Sequence, residues 1–356
     1  MHVKSLIRAF NHDAFLDDEN PKLGRPRRYF GDAVRLLKIF YRESEFVCST
    51  KLRAMLPVLI AQYEGEVSTA ARDALLAMSR ASIDRYLGPY RKLERRRKNS
   101  GTRPGSRLFR RLIPLKNLTN LAPGCGVLEA DTVAHCGGNM SGTFIWSLTA
   151  TDEYSGWTVN RAIFGKSGEQ VLKSLITALS LFPFSLRSIN VDNGTEFLND
   201  LVYSHFLRIA QANGSTLPMT RSRSYQKNDN ARAEQKNWMM VRQLFGYERF
   251  DSVILVEVMN EIYELQGQIQ NYFVPQMKLK SKVRIEAKIK KQYHPALTPI
   301  ARVLQDPAIS KEKKEELKQS LQTLNYYKLK KRKEELLAYF LKIQKILTSK
   351  QGPEAA

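Results

Sequence analysis

The stretch Val191-Asp192-Asn193-Gly194-Thr195-Glu196-Phe197 places an acid directly after an apolar run and directly before a turn. Asn-Gly is turn chemistry, so residues 186–192 are predicted to form a buried strand that ends at Asp192. The carboxyl ends of strands are where α/β sheets usually bind their ligands. Asp192 is therefore a candidate for a functional carboxylate, with Glu196 as a candidate supporting partner.

A second stretch, Asn228-Asp229-Asn230-Ala231-Arg232-Ala233-Glu234-Gln235-Lys236-Asn237-Trp238, has the pattern of a turn that leads into a helix. Glu234 falls in the first turn of that helix. Trp238, Val241 and Phe245 follow Glu234 at i+4, i+7 and i+11, which is the spacing of one helical face. This face is predicted to pack on the sheet and to hold Glu234 near the strand ends.

A third acid lies upstream, in Leu128-Glu129-Ala130-Asp131-Thr132. Phosphodiester strand transfer uses two divalent cations about 3.5–4 Å apart, and Mg²⁺ takes carboxylate oxygens as ligands. Asp131, Asp192 and Glu234 can supply them, as catalytic and metal-binding residues together. Singly, each has an ordinary interpretation: an edge charge, a turn residue, and an acid favoured by the helix dipole. The joint pattern favours the triad.

The region 123–250 alternates strands and helices in a definite order. Strands are predicted at 127–133, 142–151, 157–163, 186–192 and 216–220, and helices at 168–181 and 200–212. Three meandering strands followed by α-β-α-β-α is the order of the α/β ribonuclease H-like fold, with a mixed five-stranded sheet and flanking helices. The fold class predicted is this core plus an N-terminal all-α helix-turn-helix domain and a basic, largely helical C-terminal region.

Composition points to a polyanionic partner. The 356 residues carry a formal net charge of +22, and the basic excess lies in both flanks rather than in the middle. Three cysteines without a CxxC pair exclude a disulfide framework and suit a reducing compartment. With no signal peptide or apolar span of membrane length, we expect a cytoplasmic, nucleoid-associated bacterial protein.

The expected domains are an N-terminal arm (1–28), a helix-turn-helix DNA-binding domain (29–92), a basic linker (93–122), the catalytic core (123–250) and a basic C-terminal region (251–350). In the helix-turn-helix, Ser79 is predicted to cap the recognition helix while Ile83 and Leu87 pack inward. A generic amphipathic helix is the alternative. The last region holds a basic extended segment (278–291) and a helical tail (310–347) that either packs or stays solvated.

Candidate DNA contacts share a basic or hydrogen-bonding side chain in these flanks or near the site. They are Arg25, Arg27, Arg28, Ser79, Arg80, Ser82, Arg85, Arg95, Arg96, Arg97, Arg221, Arg223, Tyr225, Lys227, Lys236 and Arg242. For the arm, a basic linker that only touches phosphates is the alternative. For the loop 220–227, the alternative is a mobile surface loop.

The quoted motifs resemble the catalytic core of DDE-type bacterial insertion-sequence transposases, in the retroviral-integrase (rve) superfamily. Glu129-Ala130-Asp131-Thr132, Asp192-Asn193-Gly194-Thr195-Glu196-Phe197 and Glu234-Gln235-Lys236-Asn237-Trp238 carry the resemblance. It implies Mg²⁺-dependent cleavage at transposon ends, with Mn²⁺ as a substitute, and transfer of the freed 3′-hydroxyl into target DNA. Partners implied are the double-stranded terminal inverted repeats, the target DNA and further copies of the chain, as a homodimer or higher multimer.

The chain departs from this pattern in two ways. Between Asp192 and Glu234 lie 41 residues, which is longer than the spacing known for the retroviral group. Relatives also often carry a base seven residues after the helix glutamate, where this chain has Val241; Lys236 and Arg242 are the stand-ins. Two rival functions stay open. One is a helix-turn-helix regulator with an inactive ribonuclease H-like core, and the other is a ribonuclease H-fold nuclease that cuts RNA–DNA hybrids.

Overall fold

The computed structural model describes residues 29, 31–88, 112–116, 123–212, 214, 218–223, 230–285 and 288–350. Its N-terminal part is helical, as expected. The four helices there are α1 (Gly31–Glu43), α2 (Ser49–Gln62), α3 (Thr69–Ala77) and α4 (Arg80–Leu87). Ser79 caps α4 by accepting the backbone N–H of Ser82 at 3.1 Å, and Ile83 and Leu87 are fully buried. The predicted capping and packing of this helix are confirmed.

Five strands form one sheet in the order β3-β2-β1-β4-β5. They are β1 (Val127–Ala134), β2 (Ile145–Asp152), β3 (Thr158–Phe164), β4 (Ser188–Val191) and β5 (Met219–Arg221). The first three pair antiparallel, whereas β1–β4 and β4–β5 are parallel. The parallel strands are connected by helices, α5 (Gly168–Ser180) and α6 (Asp200–Ala212). This is the mixed five-stranded sheet of the ribonuclease H-like fold.

The two faces of the sheet differ in polarity because side chains alternate along each strand. On one face, Leu128 and Ala130 of β1 join a core with α5 and α6. On the other face, Glu129 and Asp131 lie beside Thr151 and Thr149 of β2, their register partners. The functional candidates on β1 therefore lie on the polar face.

The helix that covers this polar face is not regular. It begins as α7 (Ala231–Lys236), widens into a π-helical segment (Asn237–Arg242) and ends as α8 (Gln243–Phe245). Val241 and Phe245 are buried as predicted, but Trp238 is 45% exposed. The wider turn changes the phase of the helix, so the predicted i+4 neighbour of Glu234 points outward. π-Segments of this kind occur frequently at functional sites.

Among its described residues, the C-terminal region contains four α-helices and one β-ribbon, with a π-helical segment (Ile269–Phe273) after the first of these helices. They are α9 (Ile254–Gln268), β6 (Leu279–Ile285), β7 (Lys288–Tyr293), α10 (Pro299–Gln305), α11 (Lys311–Thr323) and α12 (Tyr326–Lys350). The helical tail is packed rather than solvated, because Leu336 and Phe340 are buried in a cluster with residues of α9. Lys333 is buried as well and contacts Glu45 and Gln266, which ties the tail to the N-terminal helices. In the described part of the chain, every helix is too short or too polar to span a bilayer.

Candidate functional site

Asp131 lies on β1, and Asp192 directly follows the end of the neighbouring strand β4. Ala130 of β1 pairs in register with Val191, the last residue of β4, so the residue after each partner is one of the two acids. Parallel neighbours in register point to the same face of a sheet. The two carboxylates, far apart in sequence, therefore lie near each other on the polar face, at the carboxyl end of β4.

Both carboxyl groups have a raised pKa. Burial, followed by the charges of Asp192 and Glu234, raises the pKa of Asp131 to about 8, although the Thr132 N–H and the Asn237 amide oppose this. Burial and the nearby Glu196 raise the pKa of Asp192 to about 6. Like-charged groups this close resist joint ionisation, so a cation placed between them would be favoured.

Glu234 approaches this pair from α7. Its side chain is exposed, and its charge acts on Asp131. Asn237, one helical turn later, donates from its side-chain amide to Asp131 Oδ2 at 2.6 Å. Thus the structure brings the three predicted acids into one neighbourhood.

Glu129 fixes the start of α7 against β1. Its carboxylate, fully buried, accepts the backbone N–H of Arg232 at 2.8 Å and that of Ala233 at 3.2 Å. The backbone N–H groups of the first helical turn have no acceptor within the helix, and Glu129 provides one. The positive end of the helix dipole also favours an acid at this position. Asn230 adds a bond from its amide to the Ala130 carbonyl at 3.1 Å.

A buried ion network neutralises Glu129. The Lys116 ammonium lies 2.9 Å from Glu129 Oε1 and 2.6 Å from Glu153 Oε1. The Arg232 guanidinium bridges the same two acids at 2.8 and 3.0 Å. Lys116 belongs to the segment that precedes the core, so this network joins that segment, β1 and α7.

Glu196 is a fourth acid close to the pair. It is buried and accepts the Thr132 hydroxyl at 2.9 Å, while the Lys166 ammonium lies 3.7 Å from its other oxygen. Because Thr132 is the neighbour of Asp131 and Glu196 acts on Asp192, this side chain links the two elements that carry the pair. Glu196 stays a predicted supporting partner of Asp192, on which it acts through its charge.

The donor chemistry of this edge suits a hard cation, because Mg²⁺ is typically held by one or two carboxylates together with substrate phosphates. Asp131 and Asp192 fit that requirement. Among the described residues, however, no three Asp, Glu, His or Cys side chains have the mutual geometry of a metal-binding group. Glu234 therefore lies close enough to influence Asp131, yet the triad is not assembled as a coordination shell in this conformation.

Some of the predicted DNA contacts are accessible at the surface. On α4, Arg80 and Arg85 are exposed and Ser82 is half-buried beside the cap Ser79. Arg223 is exposed at the end of β5. The remaining predicted contacts on the arm, linker and loop lie outside the described residues: Arg25, Arg27, Arg28, Arg95, Arg96, Arg97, Tyr225 and Lys227.

Three predicted contacts close to the core are either buried or bonded within the protein. Lys236 is only 4% exposed, and its ammonium has no hydrogen-bond partner within the described part of the chain. Burial holds the pKa of Lys236 well below its usual range. Arg221 donates to the Ile113 carbonyl at 3.1 Å, and Arg242 donates to the Ala134 carbonyl at 3.0 Å. In this conformation Lys236 is not available to DNA, which corrects the expectation for that residue.

Two residues that matter here were not among the predicted site residues. Asn237 contacts Asp131, and its position three residues after Glu234 on one helix is a signal that could have found it. The role of Glu129 was harder to predict from the sequence. Its position two residues before Asp131 on β1 indicates that the two side chains lie on the same face of the sheet. Its contact with α7, however, joins residues about a hundred positions apart.

Three comparisons with known proteins gave matches. A family model described as Integrase core domain matches residues 125–224, which include Asp131 and Asp192 but end before Glu234. The uncharacterized protein y4rM of Sinorhizobium fredii (strain NBRC 101917 / NGR234) is 34% identical over 282 residues, covering 77% of this chain and 78% of that protein. A solved structure, the catalytic core domain of BIV integrase in crystal form I, aligns at 16% identity over 51% of this chain and 95% of that chain, with a TM-score of 0.32. Because a relative is this similar across most of both chains and the integrase core model spans the central sheet, the chain belongs to the family of proteins that carry an integrase core domain.

Proposed function

We propose that this protein is a DNA transposase that cleaves the ends of a mobile element and joins the freed 3′-hydroxyl to target DNA. The observation that carries the proposal is the placement of Asp131 and Asp192 next to the last register pair of β1 and β4, with the charge of Glu234 acting on Asp131 from α7. Membership of the integrase core family supports polynucleotidyl transfer as the general reaction.

Asp131, Asp192 and Glu234 would hold the divalent ions, Mg²⁺ or Mn²⁺. When bound, such ions activate the attacking oxygen and stabilise the leaving oxygen of the phosphodiester. The chain's own contribution is placement. Asn237 and the Thr132 N–H orient the Asp131 carboxylate through bonds of 2.6 and 2.8 Å, and the Gly194 N–H orients Asp192 at 2.9 Å.

The N-terminal helices would recognise the element's ends. Arg80 and Arg85 project from α4, and Ser79 and Ser82 lie at its exposed start. This is the region where helix-turn-helix proteins contact base edges in the major groove. The inverted repeats at the two ends would be bound by two or more copies of the chain, at the bacterial nucleoid.

The test uses the full chain, duplex DNA taken from both flanks of its gene, and a supercoiled target plasmid. We expect nicked ends and joined products with Mg²⁺ or Mn²⁺, and none when EDTA replaces the metal. Products of the same kind from Glu234→Gln would show that the third acid is misassigned. Cross-linking of the bound complex tests for paired copies.

A helix-turn-helix regulator with an inactive core is the second candidate. The observation that favours it is that the described acids do not form a complete metal-binding group. A regulator would shift the flanking DNA in a gel and never cut it under any metal condition. An RNA–DNA hybrid is included as a competing substrate. A ribonuclease H-type nuclease would cut the hybrid first, which distinguishes it from both the transposase and the regulator.

A further inference from the structure

The β-ribbon formed by β6 and β7 is anchored firmly at its base. Gln276 and Leu297 pair there through backbone bonds of 2.8 and 3.3 Å. Lys278 donates from its ammonium to the Glu153 carbonyl at 2.9 Å, and the Gln276 amide donates to the Gly156 carbonyl at 3.1 Å. The turn between β2 and β3 therefore holds the ribbon in a fixed orientation on the core.

Beyond this base the ribbon is exposed and basic. Among the residues described there, Lys280, Lys282, Arg284, Lys290 and Lys291 are all exposed. The sequence of the whole ribbon contains one acid, Glu286. The strand pairing places cations on both of its faces, because Lys282 pairs with Lys291 while Lys290 pairs with Val283 on the opposite face.

The ribbon is poorly suited to exist without a partner. Lys282 lies directly opposite Lys291, and like charges opposite each other across two strands are destabilising. Two-stranded hairpins are marginal in water. Val283 and Ile289 add exposed apolar surface, 53% and 54% exposed. Lysines on a strand edge can serve only to prevent aggregation, but that role would not require exposed aliphatic side chains beside them. A polyanionic partner with apolar patches would contact both the lysines and the aliphatic side chains.

The ribbon's base and the recognition helix border the same space. Ala296, next to the base, lines an open cavity of about 630 Å³ together with Arg53, Ser79 and Arg80. Ser79 and Arg80 are the start of α4, which we propose to read DNA. One duplex seated at α4 would therefore run past the ribbon.

We propose that this ribbon enters the major groove of the same DNA duplex that α4 contacts, with its lysines on phosphates and the aliphatic side chain of its inward face, Val283 or Ile289, on base edges. A two-stranded ribbon fits the major groove, about 12 Å wide, where thymine methyl groups offer apolar contacts. The inference rests on the proposed function, because it takes duplex DNA as the substrate. It adds a second reading element that lies outside both the core and the helix-turn-helix.

The experiment compares two fourfold variants of the full chain. One replaces Lys280, Lys282, Lys290 and Lys291 by Ala. The matched control replaces four exposed lysines of α12, Lys328, Lys331, Lys342 and Lys345, by Ala, so the change in net charge is equal. Binding to duplex DNA from the gene's flank is measured by fluorescence anisotropy between 50 and 200 mM salt, and circular dichroism checks folding. A third variant replaces the four ribbon lysines by Arg, which keeps the charge if alanine unfolds the ribbon.

We expect the ribbon variant to bind about tenfold more weakly or worse at 100 mM salt, and its salt slope to fall by roughly 0.9 for each phosphate that the ribbon no longer neutralises. The control and the arginine variant should match wild type. Methylation of guanine N7, which lies in the major groove, should interfere with wild-type binding at a patch where it no longer affects the ribbon variant. A-form duplex RNA should compete poorly, because side chains cannot read its deep major groove.

Equal affinity and slope in the ribbon and control variants would overturn the ribbon proposal alone, as would equal competition by duplex RNA. Failure of the wild-type chain to bind duplex DNA would instead remove the proposed function, and the ribbon proposal with it. The two failures are therefore distinguishable in one titration series.

Discussion

The carboxylate of Glu129 accepts the backbone N–H of Arg232 at 2.8 Å, which joins β1 to the first turn of α7. Asp131 lies two residues further along β1, and Glu234 lies two residues further along α7. One buried side chain therefore sets the relative position of the elements that carry two of the three proposed catalytic acids. Glu129 acts through the helix and is best described as a positioning residue.

We expect Glu129→Gln to slow strand transfer by about 10- to 100-fold, the range typical for residues that orient metal ligands, with little change in DNA affinity. It should also lower the free energy of unfolding by about 3 kcal/mol, because Lys116 and the Arg232 guanidinium lose a buried anionic partner. Urea unfolding, anisotropy and a joining assay measure the three quantities.

Glu153→Gln is the matched control for that prediction. Glu153 contacts the same two cations but makes no bond to the α7 backbone within the described residues. We expect it to cost stability while leaving the transfer rate close to wild type. If both variants slowed transfer equally, the charge network rather than the helix contact would be responsible.

Glu234→Gln should reduce cleavage by at least about 100-fold, above the usual cost of losing an orienting partner. End binding should persist, because the carboxylate is proposed to hold metal rather than phosphate. Glu234 is exposed, so folding should be unaffected. Gln235→Ala, at the exposed neighbouring position, is the control, and both are scored on a labelled end fragment. Cleavage that survives in Glu234→Gln would move the third role to another acid.

The core of this fold could be predicted from local pattern because each strand of the sheet has its own apolar alternation and its own turn. Asp131 and Asp192 followed from that pattern, since their positions depend only on where β1 and β4 lie along the chain. The exposure of Trp238 did not follow, because the π-segment after α7 changes the helix phase and residue spacing does not predict such a segment. The burial of Lys236 depends on how α7 packs against the rest of the protein. The contact of Glu129 with Arg232 depends on how α7 docks, which is decided by the tertiary structure.

Metal binding should stabilise the wild-type protein. When both are ionised, the half-buried Asp131 and Asp192 repel each other. A divalent cation bound only by the native state raises stability by about 2.7 kcal/mol at a hundred times its dissociation constant. We expect Mg²⁺ to raise the melting temperature of wild type and not that of Asp131→Asn. In EDTA above about pH 8, where both carboxyl groups are ionised, the same variant should melt above wild type because this repulsion is gone. Equal shifts with Mg²⁺ in both proteins would place the ion elsewhere.

The stability of the protein should fall in mild acid because of His135. The ring is fully buried on the polar face and bonds Ser147 through Nε2 at 2.8 Å, and Ser147 in turn bonds the Tyr263 hydroxyl at 2.5 Å. Burial, followed by the charge of Arg242, lowers the pKa of His135 to about 3. In the unfolded chain a histidine titrates near about 6.5, so the unfolded state binds the proton first as the pH falls.

The contribution of His135 is therefore complete above about pH 6.5 and is lost progressively as the pH falls from there toward 3, by at most about 1.4 kcal/mol per pH unit. Between pH 6.5 and 5.0 this amounts to roughly 2 kcal/mol. Urea unfolding of wild type and His135→Asn at both pH values gives the two slopes. Asparagine does not titrate, so its free energy of unfolding should fall less steeply over this interval, even if the substitution lowers stability at both values. Parallel slopes would mean that another group is responsible for the acid sensitivity.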